Sequence, residues 1–296
     1  MGILVIFGSI LTTPKESAIV DQKGGDLVYR ELINRASQAY PFLIRHTDVR
    51  YIPHFHPETE IVYVMDGELT FTLGMQSHSV TAGDICIITP DAIHNLFTED
   101  RSTSFVMKLY PAADLSDIRF DNPIIHPGDP GYESLHRCVL QIMTENDTKG
   151  EGYQLAVNVC AGAIFLLLLR EFSHQRLDSR KKSRHISESN FLGRINRYLE
   201  SHYMEDFGLE DISEYLGYEK SYFCRYFKRV TGITFWEYYT LFRLEKSVQR
   251  MSQNSKETIS LVANASGFKN VRSYNEAFRK TYRCTPTEYK KTLLRK

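Results

Sequence analysis

Hydrophobic and polar positions between residues 40 and 110 form short apolar runs that end at turn residues. The runs lie at 61–65, 69–73, 85–88 and 105–109, and the turn signals are Asp66-Gly67, Gly74, Ala82-Gly83-Asp84, Pro90-Asp91 and Pro111. Several short strands at regular spacing are typical of β-sandwiches and β-barrels. The pattern therefore predicts a small β-barrel domain within residues 1–121.

A break rich in proline, glycine and aspartate, at 122–131, separates the β pattern from two predicted helices within 122–175. Apolar residues recur on one face of the first helix, at Leu135, Val139, Ile142 and Met143. The second, about 154–172, is apolar on nearly every side, so we expect it to be buried in its own chain or against a partner. The polar, basic residues 176–189 that follow are predicted to be an interdomain linker.

The remaining residues, 190–296, have helical patterns throughout and contain an internal repeat. The first copy reads Leu209-x-x-Ile212-Ser213-x-x-x-Gly217-Tyr218, and the second reads Ile259-x-x-Val262-Ala263-x-x-x-Gly267-Phe268. The offset of 50 becomes 51 after the turn, where Phe227-Lys228 aligns with Phe278-Arg279. Each copy predicts two helices joined by a glycine-containing turn, at about 208–232 and 258–283.

This layout is that of a helix-turn-helix unit, whose second helix enters the major groove of DNA. In the first copy Phe223 and Phe227 are spaced to pack inward. The residues left facing outward are Ser221, Cys224, Arg225 and Lys228. The alternative is an α-helical hairpin with a solvated basic face, but two units in register favour DNA binding.

Composition changes this picture only through the distribution of charge. The 296 residues contain 36 Lys+Arg and 36 Asp+Glu, and 42% are hydrophobic, which is ordinary for a soluble globular protein. However, residues 1–189 hold 17 basic and 24 acidic side chains, whereas residues 190–296 hold 19 and 12. The neutral total is thus an acidic part followed by a basic part, a reason to look for nucleic-acid binding in the second.

Cysteine usage and apolar segments bear on the compartment. The five cysteines are odd in number and widely spaced, which favours a reducing cytoplasm over a disulfide framework. The apolar residues 1–11 lack a basic region and a cleavage site, so a strand, an arm or a start-site artefact is favoured over a signal peptide. The apolar run 161–169 is too short to span a bilayer, and no membrane association is expected.

Residues 190–296 closely resemble the tandem helix-turn-helix domain of the AraC/XylS transcription regulators. The second copy carries the resemblance most specifically, through its first-helix pattern and then Phe278-Arg279-Lys280 and Thr285-Pro286-x-x-Tyr289. The resemblance implies a connecting helix, here about 235–251, that places two recognition helices in successive major grooves of double-stranded DNA. It also implies a homodimer formed by the helices of 122–175, and contact with RNA polymerase.

The resemblance also assigns DNA contacts. It implies base contacts for Ser221, Cys224 and Arg225, and phosphate contacts suit Lys228. The matching residues of the second unit are Arg272, Ser273, Asn275, Glu276, Arg279 and Lys280. Two positions depart from the family: Arg283 replaces a usual glycine, and Glu276 stands where a basic residue is frequent. Because a carboxylate accepts a hydrogen bond from cytosine but repels phosphate, the second helix binds either more weakly or more selectively.

Four residues of the β part, His54, His56, Glu60 and His94, resemble the ligand positions of the two cupin motifs. Three imidazoles and a carboxylate are a complete ligand set for a divalent metal, and His54 and His56 would share one face of a strand. Our interpretation is that the four residues hydrogen-bond a small-molecule effector without a cofactor. A bound metal is the alternative, and the family resemblance suggests a sugar-like effector.

The expected fold is a cupin-like (jelly-roll) β-barrel with following helices, then an all-α domain with two helix-turn-helix units joined by a long helix. The expected function is a transcription regulator, not an enzyme, that is controlled by an effector and by family habit activates. A metal-dependent cupin enzyme with a helical appendage is the alternative, and it predicts stoichiometric metal and turnover.

Overall fold

A computed structural model describes residues 41–109, 115–254 and 256–293 of the protein. The apolar N-terminal segment lies outside these residues. Among them, the division between two compact units falls between Ser189 and Asn190.

The first unit consists mainly of antiparallel strands. They are β1 (Phe42–Thr47), β2 (Thr59–Leu73), β3 (Gln76–Thr81), β4 (Ile85–Ile88), β5 (His94–Phe97), β6 (Ser102–Leu109), β7 (Ile118–Phe120), β8 (Ile124–Ile125) and β9 (His174–Arg176). One sheet has the order β1-β6-β2-β4-β8, with β3 and β5 also paired to β2, while β7 and β9 form a separate pair. The pairings among the described residues form an open path rather than a closed ring.

The predicted turn at Asp66-Gly67 is wrong, because β2 runs through it without interruption. The register of β2 against β6 shifts between Val64 and Asp66, which marks a β-bulge. A bulge bends a strand and increases its twist. The first part of β2 therefore pairs with β4 and β6, and the part from Glu68 onward pairs with β3 and β5. A bulge and a turn recruit the same residue types, so composition did not distinguish them.

Successive residues of β2 serve two different cores, as expected for side chains that alternate across a strand. Val62 and Val64 contribute to a cluster inside the sheet. Ile61 packs on the opposite side, in a cluster that includes α1 (Tyr132–Thr148) and α2 (Tyr153–Arg170). These helices occupy the two predicted helical stretches. The sheet is thus covered by α1 and α2 on one face.

The predicted linker 176–189 is largely helical instead. Helix α3 (Ser179–His202) begins inside it and continues into the second unit. Its first half packs on the loop after β4, where the Ser189 hydroxyl donates to the Asp91 carbonyl at 2.8 Å. Lys and Arg are good helix formers, so a basic, polar composition does not distinguish a solvated helix from an extended tether.

The second unit is helical, as predicted. After α3 come α4 (Leu209–Leu216), α5 (Lys220–Thr231), α6 (Phe235–Gln253), α7 (Ile259–Ala265), α8 (Val271–Tyr282) and α9 (Pro286–Leu293). The two predicted helix pairs are α4–α5 and α7–α8, and the predicted connecting helix is α6. The N-terminus of α6 is fixed by a capping box between Thr234 and Glu237, which satisfies backbone donors that the helix leaves open.

Candidate nucleic-acid interface and buried polar cluster

Helix α5 presents a polar face opposite a buried aromatic one. The Glu219 carboxylate caps its N-terminus by accepting hydrogen bonds from the backbone amides of Ser221 and Tyr222, each at 2.9 Å. Phe223 and Phe227 are fully buried. Of the predicted contact residues, Ser221, Arg225 and Lys228 are exposed and Cys224 is partly buried. Arg225 forms no ion pair with any residue that the structure describes.

An aromatic stripe beside this face was missed in the sequence. Tyr222 is 45% exposed, and its ring stacks on Tyr226 at a centroid distance of 5.6 Å. The Arg229 guanidinium lies 4.6 Å from the Tyr226 ring. The signal was present as tyrosines four residues apart on one helix face. The stripe flanks the first turn of α5, the part of a recognition helix that contacts bases.

Helix α8 repeats the arrangement with different polar residues. Asn270 caps it by accepting a hydrogen bond from the Ser273 amide at 2.8 Å, and Tyr274 and Phe278 are fully buried. Of the predicted contact residues, Asn275 is partly buried, and those exposed are Arg272, Ser273, Glu276, Arg279 and Lys280. Arg272 Nε donates to Glu276 Oε1 at 3.0 Å, so two predicted contact residues are paired with each other.

Both recognition helices pack on α6. The rings of Phe227 in α5 and Tyr238 in α6 lie 5.4 Å apart. In the second pair, the Tyr274 hydroxyl of α8 donates to Ser247 Oγ of α6 at 3.2 Å. Because one helix carries both contacts, the separation of α5 and α8 is fixed by α6 within this unit.

In the first unit the structure brings His54, His56, Glu60 and His94 together. One potential ligand atom from each lies within 4.8 Å of those of the others. The expectation that His54 and His56 share a regular strand is wrong, since both lie in irregular backbone before β2. Convergence comes from a backbone bridge between His54 and His94, whose ring centroids are 4.3 Å apart.

Backbone carbonyls set the proton positions of two of these histidines. Nδ1 of His54 lies 2.9 Å from the Ile52 carbonyl, and Nδ1 of His94 lies 2.8 Å from the Ala92 carbonyl. A carbonyl only accepts, so each Nδ1 carries a proton, and in the neutral form of the imidazole Nε2 carries a lone pair. Nε2 of His94 and Oε1 of Glu60 are buried without a hydrogen-bond partner among the described residues. Nδ1 of His56 is a third buried atom of the cluster without such a partner among the described residues.

Two charged residues of the cluster, Glu58 and Lys108, were missed in the sequence. Lys108 lies opposite Glu60 in the pairing of β6 with β2, and its Nζ is 3.8 Å from Glu60 Oε2. Glu58 Oε2 lies 3.5 Å from His56 Nδ1. Strand register decides the contact of Lys108, and the irregular backbone before β2 decides that of Glu58, so residue spacing along the chain reveals neither.

Burial and Lys108 together set the charges of the cluster. Burial alone would raise the pKa of Glu60, but the Lys108 ammonium and the 2.8 Å hydrogen bond with His56 hold that pKa well below its ordinary value. Burial, reinforced by Lys108, lowers the pKa of His56. At neutral pH the cluster therefore holds an ionised carboxylate and a neutral His56 imidazole.

The donor atoms suit a divalent metal in kind and in proximity. His54, His56, Glu60 and His94 would hold it, and the carbonyl contacts of two histidines are those that orient metal-binding imidazoles. A bound ion would supply Lewis-acid polarisation of a ligand oxygen. The nearby Lys108 ammonium opposes such an ion, because it already compensates the charge of Glu60.

Comparison with known proteins gives the same two parts. A family profile described as an AraC-like ligand-binding domain matches residues 40–158, and one described as a helix-turn-helix domain matches residues 212–292. The protein is a transcription regulator of the AraC/XylS family. The first profile spans the buried polar cluster, and the second spans α5 and α8.

Relatives of this AraC/XylS regulator extend over nearly its whole length. It is 22% identical to the HTH-type transcriptional regulator YdeC of Bacillus subtilis over 289 residues, or 92% of this chain and 98% of YdeC. It is 23% identical to the probable transcriptional regulator LumQ of Photobacterium leiognathi over 258 residues, or 84% and 95% of the two chains. A solved structure of unsaturated fatty acid bound ToxT from Vibrio cholerae superposes with a TM-score of 0.48 at 14% identity, covering 84% of this chain and 94% of that one.

Membership in the AraC/XylS family confirms the predicted order of a β-rich effector domain and a helical DNA-binding domain. One helix of the first part also meets a membrane criterion. α2 is 18 residues long with a mean hydropathy of 1.6, so its length and composition would allow it to cross a bilayer. This helix extends beyond the apolar run 161–169 at both ends, and core helices of soluble proteins have the same length and composition.

Proposed function

We propose that this regulator binds specific DNA sequences in the cytoplasm through α5 and α8, and activates transcription by contacting RNA polymerase when an effector occupies the β-rich unit. The observation that supports this proposal is that α5 and α8 each expose a polar face and that both helices pack on α6. Exposed Arg225 and Lys228 suit bases and phosphates, respectively.

The polar cluster supports a class of effector. Glu60 Oε1 and His94 Nε2 both lack a donor among the described residues, so the complementary ligand supplies hydrogen-bond donors. Hydroxyl groups of a sugar or another polyol do so without adding charge. An ionised carboxylate or phosphate offers acceptors rather than donors, so it would leave both atoms unsatisfied. We therefore propose a sugar-like, polyhydroxylated effector.

The exposed side of α2 supports a homodimer. Leu155, Val159 and Leu166 are 70%, 64% and 51% exposed, and with Gly162 they form a stripe at spacings of four, three and four residues. This spacing is that of a helix-pairing seam. Glu151 precedes α2 and Arg170 ends it, so an antiparallel pair of α2 helices would place opposite charges together. We propose that the occupant of this face is a second copy of the chain.

Selection of bound sequences from random DNA, with the full chain and with or without a polyol mixture, tests the DNA-binding proposal. Arg225→Ala should weaken binding to the selected sequence by about 1–3 kcal/mol, while Lys228→Ala should weaken all sequences alike and reduce the salt dependence. Equal losses for Arg225→Ala on selected and random duplexes would contradict its base-reading role. Transcription in vitro with RNA polymerase then distinguishes activation from repression.

Light scattering at several protein concentrations tests the dimer. Val159→Glu should shift the protein to monomers, because a charge would lie in the apolar seam. Met75→Glu is the matched control, since Met75 is also an exposed apolar residue, 66% accessible, but lies in the turn between β2 and β3. A Val159→Glu protein that remains dimeric would reject α2 as the interface.

A further inference from the structure

The two recognition helices carry opposite charges at an equivalent position. The repeat offset of 51 aligns Ser221 with Arg272 and Arg225 with Glu276. All four residues are exposed, on the side of their helix away from the buried aromatic rings. The first unit thus presents a serine and an arginine where the second presents an arginine and a glutamate.

The arginine and glutamate of α8 are joined to each other. Arg272 Nε lies 3.0 Å from Glu276 Oε1, and the two side chains are 89% and 66% exposed. Helix stability does not account for this pair. An exposed ion pair contributes little, and an arginine in the first turn with a glutamate four residues later is the less favourable order in the field of the helix dipole.

The geometry of the pair leaves particular donors and acceptors available for DNA. Because Arg272 Nε is bound by Glu276, the two terminal Nη groups form the outer end of the guanidinium. Such a fork matches O6 and N7 of guanine, and a side chain already held in one orientation loses less entropy on binding. Glu276 keeps Oε2, which can accept a hydrogen bond from the N4 amino group of cytosine.

We propose that Glu276 determines the sequence specificity of the second helix-turn-helix unit. It holds Arg272 for end-on recognition of a guanine, and its charge lowers the affinity of α8 for DNA that lacks this guanine. The inference rests on the proposed function, in which α8 lies in the major groove. Both units then read bases, and in the second unit the carboxylate of Glu276 adds a penalty for DNA that lacks the guanine.

Binding of the full-length protein to the selected duplex and to a random duplex of equal length tests the inference. Glu276→Gln should raise affinity for the random duplex about threefold and lower affinity for the selected duplex about threefold, so that their ratio falls about tenfold. Glu214→Gln is the matched control, since it removes one exposed carboxylate from α4 and does not touch α8. It should leave the ratio unchanged.

Single G·C replacements in the selected duplex locate the contact. One replacement should weaken wild-type binding by about tenfold and have little effect on Arg272→Lys, because lysine lacks the planar fork. Replacement of the same base pair should weaken binding by the Glu276→Gln variant much less than it weakens binding by the wild type. An unchanged ratio in Glu276→Gln, or losses spread evenly over all base pairs, would overturn the inference. Thermal unfolding of each variant verifies that these exposed substitutions leave the fold intact.

The outcome for Arg225→Ala separates this inference from the proposed function. If Arg225→Ala impairs binding to the selected duplex and Glu276→Gln leaves the ratio unchanged, the regulator binds specific DNA and only the role of Glu276 is rejected. If selection enriches no sequence, the DNA-reading roles of both helices are rejected together.

Discussion

At the residue scale, the exposed and buried faces of the recognition helices followed from the sequence, because helical periodicity relates spacing directly to direction. Arg225 and Glu276 are exposed where that periodicity places them. The contact between Lys108 and Glu60 could not be predicted in this way, since it depends on the register of two strands distant in the chain. The sequence therefore predicted which helix residues are exposed, but it did not predict which side chains meet across the sheet.

Two equivalent glycines should differ in their tolerance of alanine. Gly217 and Gly267 both have positive φ, of 76° and 83°, but a Cβ at Gly217 meets no atom within 4 Å. At Gly267 it would lie 2.2 Å from the Tyr203 carbonyl oxygen and 2.7 Å from Arg243 Nε. Gly217→Ala should cost about 1 kcal/mol, from backbone strain alone. Gly267→Ala should cost at least twice as much, because the chain must also move.

Thermal unfolding of the two alanine variants measures this difference. Equal losses of stability would show that the close approach of Gly267 to the Tyr203 carbonyl can relax without cost.

Lys108 should control whether the buried cluster binds a metal. Its ammonium lies beside the carboxylate that a divalent ion would use, so the wild-type protein, purified without a histidine tag, should contain substoichiometric metal. Lys108→Met should bind Zn²⁺ at least tenfold more tightly in calorimetric titration, and adding His94→Ala to it should abolish the gain. Stoichiometric metal in the wild-type protein would instead support the metal-dependent alternative.

At the element scale, the sequence predicted most helices because their apolar spacing is long and regular. The prediction failed where the same residue composition is compatible with two structures, as at the bulge in β2 and in the first half of α3. The polar strand β3 had no apolar run to indicate it, and its pairing with β2 supplies the missing order. Tertiary contacts thus decided the elements that local patterns left ambiguous.

Acid should weaken the attachment of α3 to the β-rich unit. Burial and the charge of Arg119 lower the pKa of His185 to about 4, although its contact with the Pro90 carbonyl opposes this shift. The unfolded chain, with an ordinary pKa of about 6.5, therefore takes up the proton first as the pH falls. The contribution of neutral His185 to the free energy of unfolding should be complete above pH 6.5 and fall as the pH drops to about 4. At pH 5 the loss should be about 1–2 kcal/mol.

Comparison with His185→Gln isolates this effect. The stability difference between wild type and variant should change between pH 7 and pH 5 and stay constant between pH 7 and pH 8. A constant difference across the whole range would exclude protonation of His185 as the cause.

At the scale of the whole molecule, the separation of charge was visible in the sequence. Residues 1–189 contribute a net charge of −7 and residues 190–296 a net charge of +7. An acidic unit in the same chain reduces the long-range attraction of a basic one for DNA. The neutral total is consistent with a regulator that does not rely on charge alone to hold DNA.

The intact chain should accordingly bind random DNA more weakly than residues 190–296 alone. The monomeric Val159→Glu chain is the appropriate comparison, because it removes the effect of dimerisation. We expect about a tenfold difference at low salt, and the difference should shrink as salt screens both charges. Equal affinities at low salt would show that the acidic residues are too distant from the DNA to matter.

The attachment of both recognition helices to α6 has a consequence for the promoters that this regulator controls. The length of α6 fixes both the distance and the rotation between α5 and α8, since one extra residue would rotate α8 by about 100° and advance it by about 1.5 Å. The protein therefore has little freedom to adjust when the spacing between its two contacted groups of base pairs changes. A single base pair inserted between the two contacted groups should silence a promoter, whereas base changes within either group only weaken it. Base pairs inserted between the DNA sites of two different chains should be tolerated better, so promoters can differ in the distance between those sites.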